Sequence, residues 1–106
     1  MRLANIHLSN NYYAKEQLRE LLELLEARGT RPIIAGDFNI FDLDAERALF
    51  EANYTSSTAF RQYKSFLSEN ITLDYVLLPK EYRFRSLDLT PGLSDHSALS
   101  FEIDTP

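Results

Sequence analysis

The chain has 106 residues, of which 44% are hydrophobic and 12% aromatic, and its 11 Lys plus Arg against 16 Asp plus Glu leave a formal net charge of −5. That length suits one domain around a single core, and the apolar fraction excludes a disordered chain. The negative charge disfavours a nucleic-acid partner, and the lack of cysteine excludes a disulfide framework, a thiolate zinc site and a cysteine nucleophile, in keeping with a cytoplasmic setting.

The opening MRLANIHLSN holds one basic residue but no apolar core of signal-peptide length, and no later apolar run is long enough for a membrane segment. Residues 3–9 alternate, with Ala4, Ile6 and Leu8 on one face and Asn5, His7 and Ser9 on the other, which predicts a strand. Leu18, Leu21, Leu22 and Leu25 then follow the spacing of an amphipathic helix that Gly29 stops. Ile33, Ile34 and Ala35 form a short apolar run ending at Gly36, so strand, helix and strand suggest a crossover unit.

Asp42 is placed to cap a second helix, with Asp44 and Glu46 in its first turn and Asn53 at its close. Residues 54–70 mix Ser, Thr, aromatic and basic side chains without a period and read as a long loop at a substrate rim, carrying Arg61 and Lys64. Residues 72–78 are apolar on both faces apart from Asp74, the pattern of a central strand with one inserted carboxylate that needs a partner. Residues 83–89 and 98–103 complete the strands.

Chemistry concentrates in short segments. If residues 36–39 extend the preceding strand, Asp37 and Asn39 point the same way and set a carboxylate beside an amide; the pair reads equally as the closure of a turn. Asp95 suits a hard cation, and His96 can donate a proton to phosphate, or the two belong to a capped surface loop. Asp74 can orient His96 by accepting its ring N–H, or be satisfied by backbone donors, and His7 reads as a phosphate contact or an ordinary strand histidine. Clustered, Asp37, Asp74 and Asp95 would repel one another unless a cation or an imidazolium sat among them.

The segments Asn5-Ile6-His7-Leu8, Gly36-Asp37-Phe38-Asn39, Leu73-Asp74-Tyr75-Val76-Leu77-Leu78 and Leu93-Ser94-Asp95-His96-Ser97-Ala98-Leu99, in this order, resemble the second half of the endonuclease/exonuclease/phosphatase family. That resemblance implies an α+β (α/β) fold over residues 1–106, half of a four-layer α/β/β/α sandwich: one mixed β-sheet with two helices on its outer face. It implies catalytic roles for His7, Asp37, Asn39, Asp74 and His96, substrate contacts by Asn5, His7, Asn39 and His96, and metal contacts by Asp37 and Asp95. The cofactor implied is Mg²⁺ or Mn²⁺, and the reaction is hydrolysis of a phosphate ester by a phosphodiesterase, nuclease or phosphatase in the intact domain, with the N-terminal half or a partner chain completing the site.

The family's metal-chelating Glu belongs to an N-terminal half with no counterpart before Met1, and Thr72 stands where the family often has a basic residue. A lone half would expose the apolar face that meets the other sheet, so a homodimer or a separate N-terminal half is expected to cover it. The alternative is a catalytically incomplete half-domain that acts as a binding or dimerisation module.

Overall fold

The computed structural model describes residues 2–106. In chain order its elements are β1 (Leu3–His7), α1 (Asn11–Ala27), β2 (Ile33–Asp37), a 3-10 segment (Asp44–Leu49), β3 (Tyr54–Ser56), α2 (Ser57–Phe60), β4 (Asp74–Pro79), β5 (Arg83–Thr90) and β6 (Ala98–Asp104). Among the described residues, no helix is long and apolar enough to cross a membrane.

The helix α1 starts where Asn10 accepts the Tyr12 N–H on its side chain at 3.0 Å. It ends where Gly29, at φ 66°, lets Gly29 N reach Glu26 O at 3.0 Å and Thr30 N reach Leu25 O at 3.1 Å, which satisfies carbonyls left open by the last turn. Ala14 and Leu18 are fully buried on its inner stripe, flanked by half-buried Leu21, Leu22 and Leu25. Full burial of a leucine such as Leu18 contributes about 1.5–3 kcal/mol.

Because α1 carries the chain back across the sheet, β1 and β2 pair in parallel, with Leu3 opposite Ile33 and His7 opposite Asp37. β4 then runs antiparallel to β2, and β3 antiparallel to β4, giving the order β1-β2-β4-β3. The class is mixed α+β, as the resemblance implied.

Alternation along the strands divides the core in two. Ile34, Tyr75 and Leu77 face α1 and pack with Phe38, Ile40, Leu43 and Phe50. Ile33, Val76 and Leu78 face the other way and meet Phe84, Leu99, Phe101 and Ile103 of the β5–β6 hairpin. The layers are therefore helix, sheet and hairpin.

Several expectations are corrected here. The strands do not form one sheet: β5 and β6 pair only with each other and lie against the face opposite α1. The second helix is instead 3-10 structure in two short pieces joined across a kink at Glu46, although Asp42 does accept the Ala45 N–H at 3.2 Å. Nor are residues 54–70 one long loop, since they hold β3 and α2.

Two tertiary hydrogen bonds and a local cap, not periodicity, order that stretch. Tyr54 donates its hydroxyl to Pro32 O at 2.8 Å, Ser56 caps α2 by accepting the Ala59 N–H, and Ser57 Oγ accepts the Val76 N–H at 2.9 Å. Arg61, expected at a substrate rim, instead donates to Leu87 O and ties α2 to the hairpin, whereas Lys64 is exposed.

Candidate functional site

The register of the sheet builds the first part of the site. His7 lies opposite Asp37, and Asp37 opposite Asp74, so the three occupy one lateral row and, by the pleat, one face. That row closes the ends of the parallel strands on the hairpin side. His7 Nε2 lies 3.6 Å from Asp37 Oδ2 and its side chain is largely exposed.

Gly36 makes this pairing possible. Its φ of 140° disfavours any L side chain, and a Cβ there would stand 2.0 Å from Ile6 O and 2.9 Å from Asn5 Oδ1. A larger residue would push β1 away and separate His7 from Asp37.

Asn39 is placed differently from the strand-continuation expectation. β2 ends at Asp37 and the chain turns, with Asn39 at φ 51°. The Asn39 N–H donates to Asp37 Oδ1 at 2.9 Å, and its Nδ2 donates to Leu8 O at 2.8 Å. The amide thus holds the β1 exit loop against the turn and fixes one oxygen of Asp37, leaving Oδ2 directed at the histidines.

His96 arrives on the loop before β6. Ser94 Oγ accepts the His96 N–H at 3.1 Å and donates to His96 O at 2.9 Å, which closes a tight local turn. The ring Nδ1 lies 2.6 Å from Asp74 Oδ2, and Nε2 lies 3.6 Å from Asp37 Oδ2. A carboxylate only accepts, so Nδ1 carries the proton toward Asp74 and Nε2 faces Asp37. The Phe66 ring, 5.0 Å away centre to centre, packs beside the imidazole.

The electrostatics follow from this geometry. Burial raises the Asp37 pKa above the ordinary carboxylate value; the Asn39 N–H works against that, and the Asp74 charge adds to it. Burial opposes the charge on His96, yet the hydrogen bond and charge of Asp74, followed by Asp37 and Asp95, lift its pKa above the usual imidazole value. The site therefore favours a proton on His96 and a carboxylate at Asp37 that holds protons more readily than most.

Asp37, Asp74 and His96 each offer a ligand atom, and these lie within 4.8 Å of one another. The two carboxylate oxygens suit a divalent cation, and His96 would join them through Nε2 only when that nitrogen carries no proton. Asp95 is exposed and stands outside this group, reaching it only by its charge on His96. Asn5 is exposed two residues back from His7 on the same face and borders a cleft of about 260 Å³ shared with Ala35, Asp74, Val76 and Phe101.

Sequence reasoning missed the support beneath the site. Tyr63 donates its hydroxyl to Asp74 O at 2.7 Å, and burial pushes its pKa up to about 12, so it stays a neutral donor. Buried Thr72 donates to Tyr63 O, an internal structural use. Ser65 Oγ accepts the N–H groups of Leu73 and Asp74. The only cue in the chain was a concentration of hydroxyls and aromatics over residues 54–66 without a period. Compared with protein-family models and with curated proteins, the chain matches none.

Proposed function

We propose that the chain is the C-terminal half of an endonuclease/exonuclease/phosphatase domain and that its site takes part in metal-dependent hydrolysis of a phosphate ester. The observation that carries this reading is the convergence of Asp37, Asp74 and His96, from separate segments, on one small volume with His7 beside them. The four motif segments meet there, whereas turn-closing or capping residues would have no reason to share one place.

In this reading Asp37 Oδ2 accepts a proton from the attacking water. Its raised pKa makes it a better base than an ordinary carboxylate, and such a positioned group contributes about 10²–10⁴-fold. Asp74 holds the His96 ring through Nδ1, so that Nε2 can donate to a phosphoryl oxygen or to the leaving group. His7, on the open side of Asp37, supplies a second donor to the phosphate. Asp37 and Asp74 would hold Mg²⁺ or Mn²⁺, which offsets negative charge on the phosphoryl oxygens when bound.

The test is hydrolysis of bis(4-nitrophenyl) phosphate with Mg²⁺ or Mn²⁺. Turnover lost on chelation and in Asp37→Ala and His96→Ala, but kept in the surface control Glu23→Ala, supports the reading. Turnover unchanged in Asp37→Ala and His96→Ala refutes it.

A second reading, a half-domain that binds a partner, is favoured by the open inner face of β1. Leu3 is 66% exposed there, in line with exposed Asn5 and His7, and the hairpin does not cover them. A self-associating chain without turnover, whose association weakens in Leu3→Asp, supports this second reading.

A further inference from the structure

Ser65 is fully buried, and each of its polar groups toward the site is used. Its Oγ accepts the Leu73 N–H at 2.9 Å and the Asp74 N–H at 3.0 Å, and its carbonyl accepts the Ser97 N–H at 2.7 Å. Asp74 and Ser97 are, respectively, the carboxylate that grips His96 and the residue next to His96. One serine therefore binds the backbones on both sides of the 2.6 Å pair between Asp74 and His96.

Those backbones come from parts of the chain that touch nowhere else in a ladder. Asp74 begins β4, within the four-stranded sheet, while His96 precedes β6, in the separate hairpin. Apart from the Arg61 bond to Leu87 O, which lies away from the site, the hairpin sits on the sheet through apolar packing, which is non-directional and would set the Asp74–His96 distance only loosely. Ser65 is itself held: its N–H donates to Ile71 O at 3.1 Å, and Phe66 and Ile71 form a bridge that closes the loop behind it. Phe66 then lays its ring beside His96.

We infer that Ser65 is a positioning residue that sets the Asp74–His96 pair by anchoring the start of β4 and the loop before β6 to one another. Its hydroxyl acts as an acceptor of two N–H groups, a role that alanine cannot fill and threonine can. The catalytic consequence rests on the phosphoesterase reading above; the geometric one does not.

The experiment uses the full chain in Ser65→Ala and Ser65→Thr forms, with Leu18→Ala as a destabilised control on the other face of the sheet. The first readout is the low-field proton NMR signal of the His96 Nδ1–H bonded to Asp74. It is expected in the wild type, Ser65→Thr and Leu18→Ala, and lost or moved upfield in Ser65→Ala. The second is hydrolysis of bis(4-nitrophenyl) phosphate, where Ser65→Ala should lower kcat by about 10–100-fold with KM within about twofold, as for other groups that orient a site residue.

A Ser65→Ala protein that keeps the signal unchanged overturns the inference, as does a Leu18→Ala protein that loses it equally. Should Ser65→Ala fail to fold, Ser65→Cys, a similar shape with a weaker acceptor, carries the same measurement: an upfield move supports the anchor and an unchanged signal overturns it. A wild type without turnover favours the incomplete half-domain reading and leaves the NMR comparison to decide the role of Ser65.

Discussion

Replacing Gly36 with alanine tests how the sheet brings His7 to Asp37. An ideal Cβ at Gly36 would stand 2.0 Å from Ile6 O, and the obstacle is backbone, which cannot swing aside as a side chain can. Ordinary van der Waals separation is about 3.5 Å, so β1 and β2, normally about 4.8 Å apart, must part by an ångström or more beside Ile6. Loss of about two ladder hydrogen bonds, at about 1 kcal/mol each, adds to about 1–3 kcal/mol for an L residue at φ 140°. The expected destabilisation is about 3–5 kcal/mol. At about 4–8 °C per kcal/mol for a domain near this size, Tm should fall by at least about 12 °C, with a matching fall in urea midpoint. A Gly36→Ala protein within about 1 kcal/mol of the wild type, with the His7 amide resonance unmoved, would refute the account of a glycine required by close strand approach.

Three further outcomes are expected. Leu18→Ala removes a fully buried side chain between α1 and the sheet and should cost about 2–5 kcal/mol in urea denaturation at unchanged m-value. For pH, the folded-state pKa of Asp37 and of His96 both lie above their ordinary values, so the native state holds more protons than the unfolded one between each ordinary value and its raised counterpart. Their contribution is complete below about pH 3.8 and 6.5, respectively, and is lost as pH rises through the folded values; the metal-free Tm should decline on the alkaline side of pH 6.5, and His96→Gln should flatten that decline. Because a ligand that binds only the native state adds about 2.7 kcal/mol at 100 times its Kd, Mn²⁺ or Mg²⁺ should raise the wild-type Tm and leave that of the Asp37→Ala, Asp74→Ala double variant unchanged.

Much of the scaffold was legible because it is local. The leucine spacing from Leu18 to Leu25 and the stop at Gly29 define α1, since helix periodicity and a left-handed terminal residue are properties of neighbouring positions. The strands at residues 3–9, 72–78, 83–89 and 98–103 were visible by alternation or by apolar runs, and β1, β4, β5 and β6 fall within one or two residues of them. By contrast, β3 and α2 left no periodic trace: three strand residues and a four-residue helix are held by Tyr54 and Ser57, whose partners at Pro32 and Val76 are distant in the chain, while Ser56 caps α2 locally.

The candidate site divides along the same line. Side-chain chemistry picked out His7, Asp37, Asn39, Asp74, Asp95 and His96, because carboxylates, imidazoles and amides gathered at strand ends are costly if buried without a partner. Which of them meet was a matter of register and loop path. The alignment of His7, Asp37 and Asp74 depends on β4 pairing with β2 at a particular offset, and a one-residue slip would turn Asp74 to the other face. The turn at Asn39 diverts its amide to Leu8, and the Ser94 turn directs His96 inward while Asp95 stays in water. Residue identity by itself determined which groups can hold a cation or move a proton. Only the tertiary structure decided which share a space, because the distances among residues 37, 74 and 96 are set by strand pairing and by the Ser65 anchor, neither of which is encoded in adjacent positions.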